Sequence, residues 1–170
     1  MNNNVLVLYG SPHKNGNTKK LLNNFLKNIF YDKINIINTY EKSAHPCIDC
    51  KYCTKEAKCI FNDLDDFDEF IKSINILIIA SPVYNRSFPS PLKAIIDRMQ
   101  RYYNEKIFLK TKNNYSPKKA FILLSQDSNE NLEQEIIPQI EPNLKLINTN
   151  SIEVFTLKNT DKNKYSNFEA

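Results

Sequence analysis

Five short apolar runs, rich in β-branched residues, alternate along the chain with segments in which apolar residues recur every three or four positions. Continuous apolar runs are typical of parallel strands that are buried on both faces, and the longer spacing is typical of amphipathic helices. Because β–α–β connections are right-handed, this alternation predicts an α/β fold with a doubly wound, five-stranded parallel sheet in the order 2-1-3-4-5. The predicted strands are residues 5–9, 34–39, 75–80, 120–125 and 152–157.

Helical patterns fill the intervals between these strands. The first predicted helix has its apolar face within residues 21–29, and the second begins near Asp63, which we expect to be its N-cap. Pro91 suits the first turn of a third helix, and a weaker fourth helix is predicted over residues 131–140. The residues from 158 to 170 are polar, so the C-terminal helix is predicted to be missing or reduced. We expect a second copy of the chain to cover the sheet face left open.

The chain has the composition of a single globular domain, predicted over residues 1–170. Hydrophobic residues make up 41% and charged residues 25% of the sequence. No apolar run approaches the roughly 20 residues of a membrane span, and the amino terminus lacks a secretory pattern, so we expect a cytoplasmic protein without a membrane partner. The net charge of +4 is mild and interleaved, and nucleic-acid binding is not expected. The basic segment 106–119 is predicted to be a solvated loop, with attraction of an anionic partner as the alternative.

The loop after the first strand, residues 10–18, contains the only two glycines of the chain. In doubly wound sheets, ligands bind where the strand order reverses, here beyond the ends of strands one and three. Gly16 tolerates a positive φ just before a helix whose free N–H groups attract phosphate. Ser11, Asn17 and Thr18 add neutral polar groups, and the loop has neither the dinucleotide nor the triphosphate fingerprint. A monophosphate site is therefore predicted, with a purely structural turn as the alternative.

Two further loops are predicted at the same sheet edge. Residues 81–91 contain three prolines together with Tyr84 and Arg86. A flat ring is expected to rest there, with Tyr84 along it and Arg86 offsetting its charge. A packed tyrosine and a solvated arginine are the alternatives. Residues 125–129 are polar, and they indicate a ligand-binding loop more weakly.

The four cysteines lie in one short segment at Cys47, Cys50, Cys53 and Cys59. Disulfides are not expected in a reducing compartment, and zinc ribbons usually separate their cysteine pairs by a dozen or more residues. The compact spacing favours a cubane iron–sulfur cluster, although the last gap of five residues differs from the ferredoxin pattern. Redox-active thiols and structural zinc stay open as alternatives. Three lysines nearby are expected either to raise the potential of a cluster or only to aid solubility: Lys51, Lys55 and Lys58.

Residues 10–18, 81–84 and 93–98 together resemble the NADPH-dependent FMN reductase group of flavodoxin-like proteins. The resemblance implies bound FMN, with its phosphate on the first loop and its isoalloxazine ring near the other two. His13 stands where relatives commonly have arginine, which makes the charge beside the phosphate pH-dependent. The implied cofactor-binding residues are Ser11, His13, Lys14, Asn17, Thr18, Ser81, Pro82, Val83, Tyr84, Asn85, Arg86, Ser125, Gln126 and Asp127.

The cysteine spacing resembles the iron–sulfur flavoprotein branch of the same group, in which a 4Fe-4S cluster follows the second strand. The resemblance implies that an insertion at residues 43–62 holds this cluster through the four cysteines. Residues 93–98 are expected to form a helix that faces a neighbouring subunit, in a homodimer or higher homo-oligomer.

These features predict an FMN-dependent oxidoreductase. Electrons from NAD(P)H or ferredoxin are expected to pass through FMN, and through the cluster, to a small-molecule or protein acceptor, without a catalytic acid or base from the chain. An NAD(P)H:FMN or quinone reductase without a cluster is the first alternative. The second is a non-catalytic flavodoxin-like or zinc-stabilised interaction domain. Phosphoacceptor domains need carboxylates where this chain has Ser11 and Ser81, which argues against the second alternative.

Overall fold

The computed structural model describes residues 3–111 and 115–161. The strands are β1 (Asn4–Tyr9), β2 (Lys33–Asn38), β3 (Ile76–Pro82), β4 (Lys118–Ser125) and β5 (Thr149–Leu157). The helices are α1 (Asn17–Leu26), α2 (Asp65–Ser73), α3 (Ser90–Arg98), α4 (Gln100–Asn104), α5 (Glu133–Ile136) and α6 (Glu141–Leu146). Short 3-10 turns occur at Tyr52–Thr54 and Ile137–Gln139, and a π-helical turn occurs at Glu105–Leu109. No helix in the described ranges is both long enough and apolar enough to span a bilayer.

The five strands form one parallel sheet in the order β2-β1-β3-β4-β5, which confirms the predicted topology. Val7 in β1 lies opposite Ile36 in β2 and Ile78 in β3. Residues 43–62, with the four cysteines, lie between β2 and α2 as predicted, and apart from one 3-10 turn they contain no helix or strand. The sheet therefore carries the cysteine loop as an insertion after its edge strand.

The two faces of the sheet are covered unequally. On one face, Leu8 and Ile79 belong to a large buried core that includes residues of α2, α3 and α6. On the other face, Val7 and Ile78 pack with Leu22 of α1. No helix follows β5 up to residue 161, and Phe155 on β5 is 41% exposed. Residues 162–170 of the predicted polar tail lie outside the described residues, and coverage by a second copy stays a prediction.

Three element ends differ from the sequence predictions. Asp63 does not cap α2, because its carboxylate accepts hydrogen bonds from His45 and Arg98 instead. Within the predicted fourth helix, residues 131–140, only Glu133–Ile136 is α-helical, and a 3-10 turn follows it. Helix α6 begins beyond this range, and Pro142 lies in its first turn, where proline is tolerated. Strand β5 begins at Thr149, earlier than its apolar residues suggest.

The basic segment is not uniformly solvated. Lys106 is exposed in the π-helical turn, and Lys112 lies outside the described residues. Lys118 is only 2% exposed, and its Nζ donates hydrogen bonds to the carbonyls of Ser116 at 2.5 Å and Ile147 at 2.7 Å. Burial lowers the pKa of this amine from 10.5 to about 8. The prediction of a solvated loop is therefore wrong at Lys118, which joins the start of β4 to the end of α6.

We expect the wild-type protein to gain stability relative to Lys118→Met as the pH rises from about 8 to 10.5. Over this window the unfolded chain binds the Lys118 proton and the folded chain has released it, so unfolding becomes less favourable. The shift corresponds to about 3 kcal/mol at most. Urea denaturation of both proteins across this pH range measures the difference, with Lys106→Met as the control at an exposed lysine. A difference that does not change with pH would contradict the role of burial.

Candidate functional site

A cleft of about 340 Å³ opens at the carboxyl ends of β1, β3 and β4, where the strand order reverses. Its wall comes from the loop before α1, the end of β3 and the residues that follow β4. Three loops that are distant in sequence therefore meet in one site. The predicted cofactor residues that line it are Ser11, His13, Asn17, Thr18, Pro82, Val83, Tyr84, Ser125, Gln126 and Asp127.

The N-terminus of α1 presents unused hydrogen-bond donors beside this cleft. The N-cap of α1 is Gly16, which makes no side-chain cap hydrogen bond. In the described part of the chain, the backbone N–H groups of Asn17, Thr18 and Lys19 have no acceptor. Free N–H groups and the helix dipole together favour an anion at this position.

Gly16 is needed for space rather than for its backbone angle. Its φ of −75° is accessible to any residue, so the tolerance of glycine for a positive φ is not used at this position. A Cβ atom at this position would lie 2.9 Å from the Cβ of His13. The turn is held because the Tyr9 hydroxyl donates to the His13 carbonyl at 2.7 Å, and the His13 N–H donates to Ser11 Oγ at 3.3 Å. Close packing of this turn leaves the helix end open to the cleft.

Two buried hydroxyl groups join α1 to the end of β4. Thr18 Oγ1 and Ser125 Oγ lie 2.7 Å apart. Since one hydroxyl donates to the other, the accepting group keeps a hydrogen for a further acceptor. The Gln126 amide donates to the carbonyls of Ser128 and Glu130 at 3.0 and 2.7 Å, whereas its buried Oε1 has no hydrogen-bond partner among the described residues. Neutral polar groups therefore dominate this end of the site.

The residues that follow β5 complete the cleft wall, and the sequence analysis missed them. Thr160 accepts a hydrogen bond from Asn17 Nδ2 at 3.2 Å and donates its N–H to the Gln126 carbonyl at 3.2 Å. The Asp161 N–H donates to Asp127 Oδ1 at 3.0 Å. The sequence does contain a signal for them, a polar stretch directly after the last parallel strand. Because all parallel strands end at the same edge of the sheet, residues that follow β5 are expected beside the cleft.

Arg86 lies outside the cleft and closes the neighbouring loop. Its guanidinium donates to both carboxylate oxygens of Glu135 at 2.7 Å and pairs with Glu130 at 2.8 Å. These carboxylates raise the pKa of Arg86 above its usual value. Arg86 has a positive φ of 60° in a tight turn after Tyr84, which stays 41% exposed on the cleft wall.

Three other predicted cofactor residues also lie away from the cleft lining. Lys14 pairs with Glu41 at 3.3 Å beside a groove along β2. Ser81 is buried, and its hydroxyl donates to the Pro82 carbonyl at 2.8 Å. Asn85 has a positive φ of 49° at the start of the tight turn.

The four cysteines line one small pocket of about 30 Å³. All four are free thiols, with Cys47 and Cys50 exposed and Cys53 and Cys59 half-buried. Among the described residues, no three His, Cys, Asp or Glu side chains are arranged to hold a metal ion. Four thiols on one pocket are nonetheless a donor set that both iron–sulfur clusters and zinc accept. The chain fits such a group by donor type, and a bound group would require the thiols to draw together.

Asp63 holds the cysteine loop against the body of the protein. Its carboxylate accepts the His45 N–H at 2.7 Å, lies 2.9 Å from His45 Nδ1, and binds the Arg98 guanidinium. Burial tends to raise the pKa of Asp63, but hydrogen bonds from His45 and Arg98 outweigh it and lower the pKa from 3.8 to about 2. Because Arg98 is 5% exposed and packs on its own cysteine loop, the expectation that residues 93–98 face a neighbouring subunit is wrong at Arg98.

We expect Asp63→Asn to lower the free energy of unfolding by about 2 kcal/mol near neutral pH. The folded pKa of about 2 lies below the unfolded value of 3.8, so the stabilisation is present above about pH 4 and is lost as the pH falls towards 2. Urea denaturation from neutral to acidic pH measures it, and Glu69→Gln removes an exposed carboxylate of α2 as the control. If the effect of Asp63→Asn were equally large in acid, the anchoring role would be wrong.

Curated proteins with related sequences include several iron–sulfur flavoproteins. One from Methanocaldococcus jannaschii is 35% identical over 97 residues, which are 55% of this chain and 50% of that protein. Another, from Methanosarcina thermophila, is 29% identical over 112 residues, which are 64% of this chain and 58% of that protein. The matches therefore span about half the length of these relatives.

Solved structures share the fold at low sequence identity. An NAD(P)H:quinone oxidoreductase from Methanothermobacter marburgensis superposes with a TM-score of 0.76 at 16% identity, over 98% of this chain and 91% of that one. An azoreductase from Bacillus anthracis gives a TM-score of 0.63 at 15% identity, over 98% and 92% of the two chains. A sequence model of the NADPH-dependent FMN reductases matches residues 3–155, a range that includes most of the cleft and the whole cysteine pocket. The chain belongs to the NADPH-dependent FMN reductase family.

Proposed function

We propose that the protein is an FMN-dependent oxidoreductase that takes electrons from NAD(P)H or ferredoxin and delivers them to a small-molecule or protein acceptor. The observation that carries this proposal is the open N-terminus of α1. Its N–H groups at Asn17, Thr18 and Lys19 lack acceptors within the described ranges and lie where the strand order reverses. Membership of the FMN reductase family supports FMN as the anion bound there.

The FMN phosphate is assigned to the end of α1, where the hydroxyls of Ser11 and Thr18 add neutral donors. Among the described lining residues, His13 is the only basic side chain. The negative charge of the phosphate is therefore stabilised mainly by the partial positive charge at the N-terminus of α1. Asp127 and Asp161 also line the cleft. Two carboxylates oppose a more highly charged anion, which favours a monophosphate, and they can accept hydrogen bonds from the ribityl hydroxyls of FMN.

The isoalloxazine ring is assigned to the wall formed by residues 82–84. Tyr84 lines this wall and is 41% exposed, which provides aromatic surface for a flat ring. Bound FMN supplies hydride acceptance and one-electron transfer, while the chain orients it and leaves one ring face accessible.

We further propose that the four cysteines hold a 4Fe-4S cluster that exchanges single electrons with FMN. The support is a set of four free thiols on one pocket, together with relatives that are iron–sulfur flavoproteins. An NAD(P)H:FMN or quinone reductase without a cluster is the second candidate. It is favoured by the small pocket, about 30 Å³, and by the spread of the thiols in this conformation.

A homodimer or higher homo-oligomer is proposed from the open face beside α1. Phe25, Phe121 and Phe155 line a groove of about 510 Å³ on this face, and apolar surface of this kind commonly marks an interface. A cytoplasmic location is proposed because exposed free thiols stay reduced in that compartment.

The double substitution Asn17→Ala and Thr18→Val is expected to weaken FMN binding by about tenfold or more. Hydrogen bonds to a charged group contribute roughly 1.5–3 kcal/mol each, and 1.4 kcal/mol corresponds to tenfold. Quenching of flavin fluorescence during titration of the apoprotein measures the affinity. Asn23→Ala, at an exposed position of α1, is the matched control. Equal affinities for the double variant and the wild type would refute the assigned phosphate site.

Anaerobic purification and reconstitution should give wild-type protein with about four iron and four sulfide per chain, as a cubane held by four cysteines requires. Cys50→Ala should lose both while it keeps FMN, because the cysteine pocket and the cleft have separate linings. Ser43→Ala, in the same loop, serves as the control. Wild-type protein that binds FMN but no iron would support the cluster-free reductase instead.

A further inference from the structure

Three polar side chains spaced three residues apart form one wall of the cysteine pocket: Arg98, Arg101 and Asn104. Arg98 ends α3, and the other two belong to α4. Met99 and Gln100 between them keep the chain helical, so the three side chains share one side of a continuous helical stretch. Their exposed fractions are 5%, 8% and 8%. Charged and amide side chains are rarely buried to this degree without specific partners.

Asn104 contacts a cysteine directly. Its Nδ2 donates a hydrogen bond to Cys53 Sγ at 3.1 Å. Arg101 donates to the Ala57 carbonyl at 3.1 Å and Arg98 to the Phe61 carbonyl at 3.0 Å, on either side of Cys59 in the chain. The helical stretch therefore holds the cysteine loop at one sulfur and at the backbone around another.

The two arginines bring buried positive charge with spare hydrogen-bonding capacity. Arg101 pairs with Asp68 at 2.7 Å, and Arg98 pairs with Asp63. The Nε–H groups of both arginines are buried and have no acceptor in the described part of the chain. Each guanidinium thus keeps one donor that its carboxylate partner does not use, on a residue that lines the cysteine pocket.

The surface lysines of the cysteine loop are less effective sources of charge. Lys51 pairs with Asp49 at 2.6 Å, and both side chains are more than half exposed. Water and salt screen such a pair strongly, whereas a buried charge acts through a medium of lower dielectric constant. We therefore expect the surface lysines to change the reduction potential of a cluster less than Arg98, Arg101 and Asn104 do.

We propose that Arg101 and Asn104 are positioning residues that set the reduction potential of the cluster held by the cysteines; this inference rests on the cluster of the proposed function. Reduction adds one negative charge to a cluster. Hydrogen bonds to its sulfurs and nearby positive charge stabilise the reduced state and raise the potential. The hydrogen bond from Asn104 to Cys53 and the guanidinium of Arg101 supply these two effects.

The test is a redox titration of anaerobically reconstituted protein, followed by electron paramagnetic resonance of the reduced cluster. Asn104→Leu removes the donor at similar size and should shift the midpoint potential to a more negative value. Asn104→Asp removes it and adds negative charge, and should shift the potential further, by at least tenfold in the reduction equilibrium, or 59 mV for one electron. Arg101→Gln should shift it in the same direction, and Arg101→Lys should restore part of the difference. Lys106→Gln removes a charge from an exposed position of the following turn and should leave the potential unchanged.

Iron and sulfide analysis comes first, because it tests the presence of the cluster separately from the effect of Arg101 and Asn104 on its potential. Wild-type protein without iron would refute the cluster and, with it, this inference. Fully loaded Asn104 variants with the wild-type potential would refute the inference alone. Loss of iron from both Asn104 variants would also refute it, because Asn104 would then serve assembly rather than the potential. If the Arg101 variants do not fold, the Asn104 series decides.

Discussion

The parallel pairing of β1 with β3 is the constraint on which both sites depend. Strand β3 is the central strand and β1 lies beside it. Their ladder continues past the end of β1, where the Gly10 N–H donates to the Ala80 carbonyl at 2.8 Å. Gly10 allows this close fit, since a Cβ there would lie 2.7 Å from Leu92 of α3. Right-handed crossovers from this pair lead α1 to one face and α3 to the other, so the loops diverge and a cleft opens between them.

The fold could be predicted from the sequence because its signal is local. Strands that are apolar on both faces and helices with three- to four-residue spacing record burial directly, and handedness then leaves one simple strand order. The cleft could be predicted for the same reason, since parallel strands end at one edge. The contacts of individual side chains could not be predicted in this way. The sequence around Arg86 suggests a ligand contact, but its actual partners, Glu130 and Glu135, lie more than forty positions away along the chain. Likewise, no neighbouring residue in the sequence indicates that Lys118 is buried.

The two proposed cofactor sites draw on different sources of positive charge. Within the described residues, the cleft combines the open N-terminus of α1 with the carboxylates of Asp127 and Asp161. The cysteine pocket is lined by Arg98 and Arg101, and a carboxylate pairs with each of them. An anion at the cleft therefore depends on backbone N–H groups, whereas the cysteine pocket has buried guanidinium groups beside it.

Helix α1 has two structural roles at once. Its first turn offers the unpaired N–H groups, and its apolar side covers the sheet residues Val7 and Ile78. A ligand that fastens the first turn also resists fraying of the helix and so protects the core beneath it. By mass action, flavin at a hundred times its dissociation constant would add about 2.7 kcal/mol to global stability. The supply of flavin would thereby set the fraction of the protein that stays folded, independently of its catalytic rate.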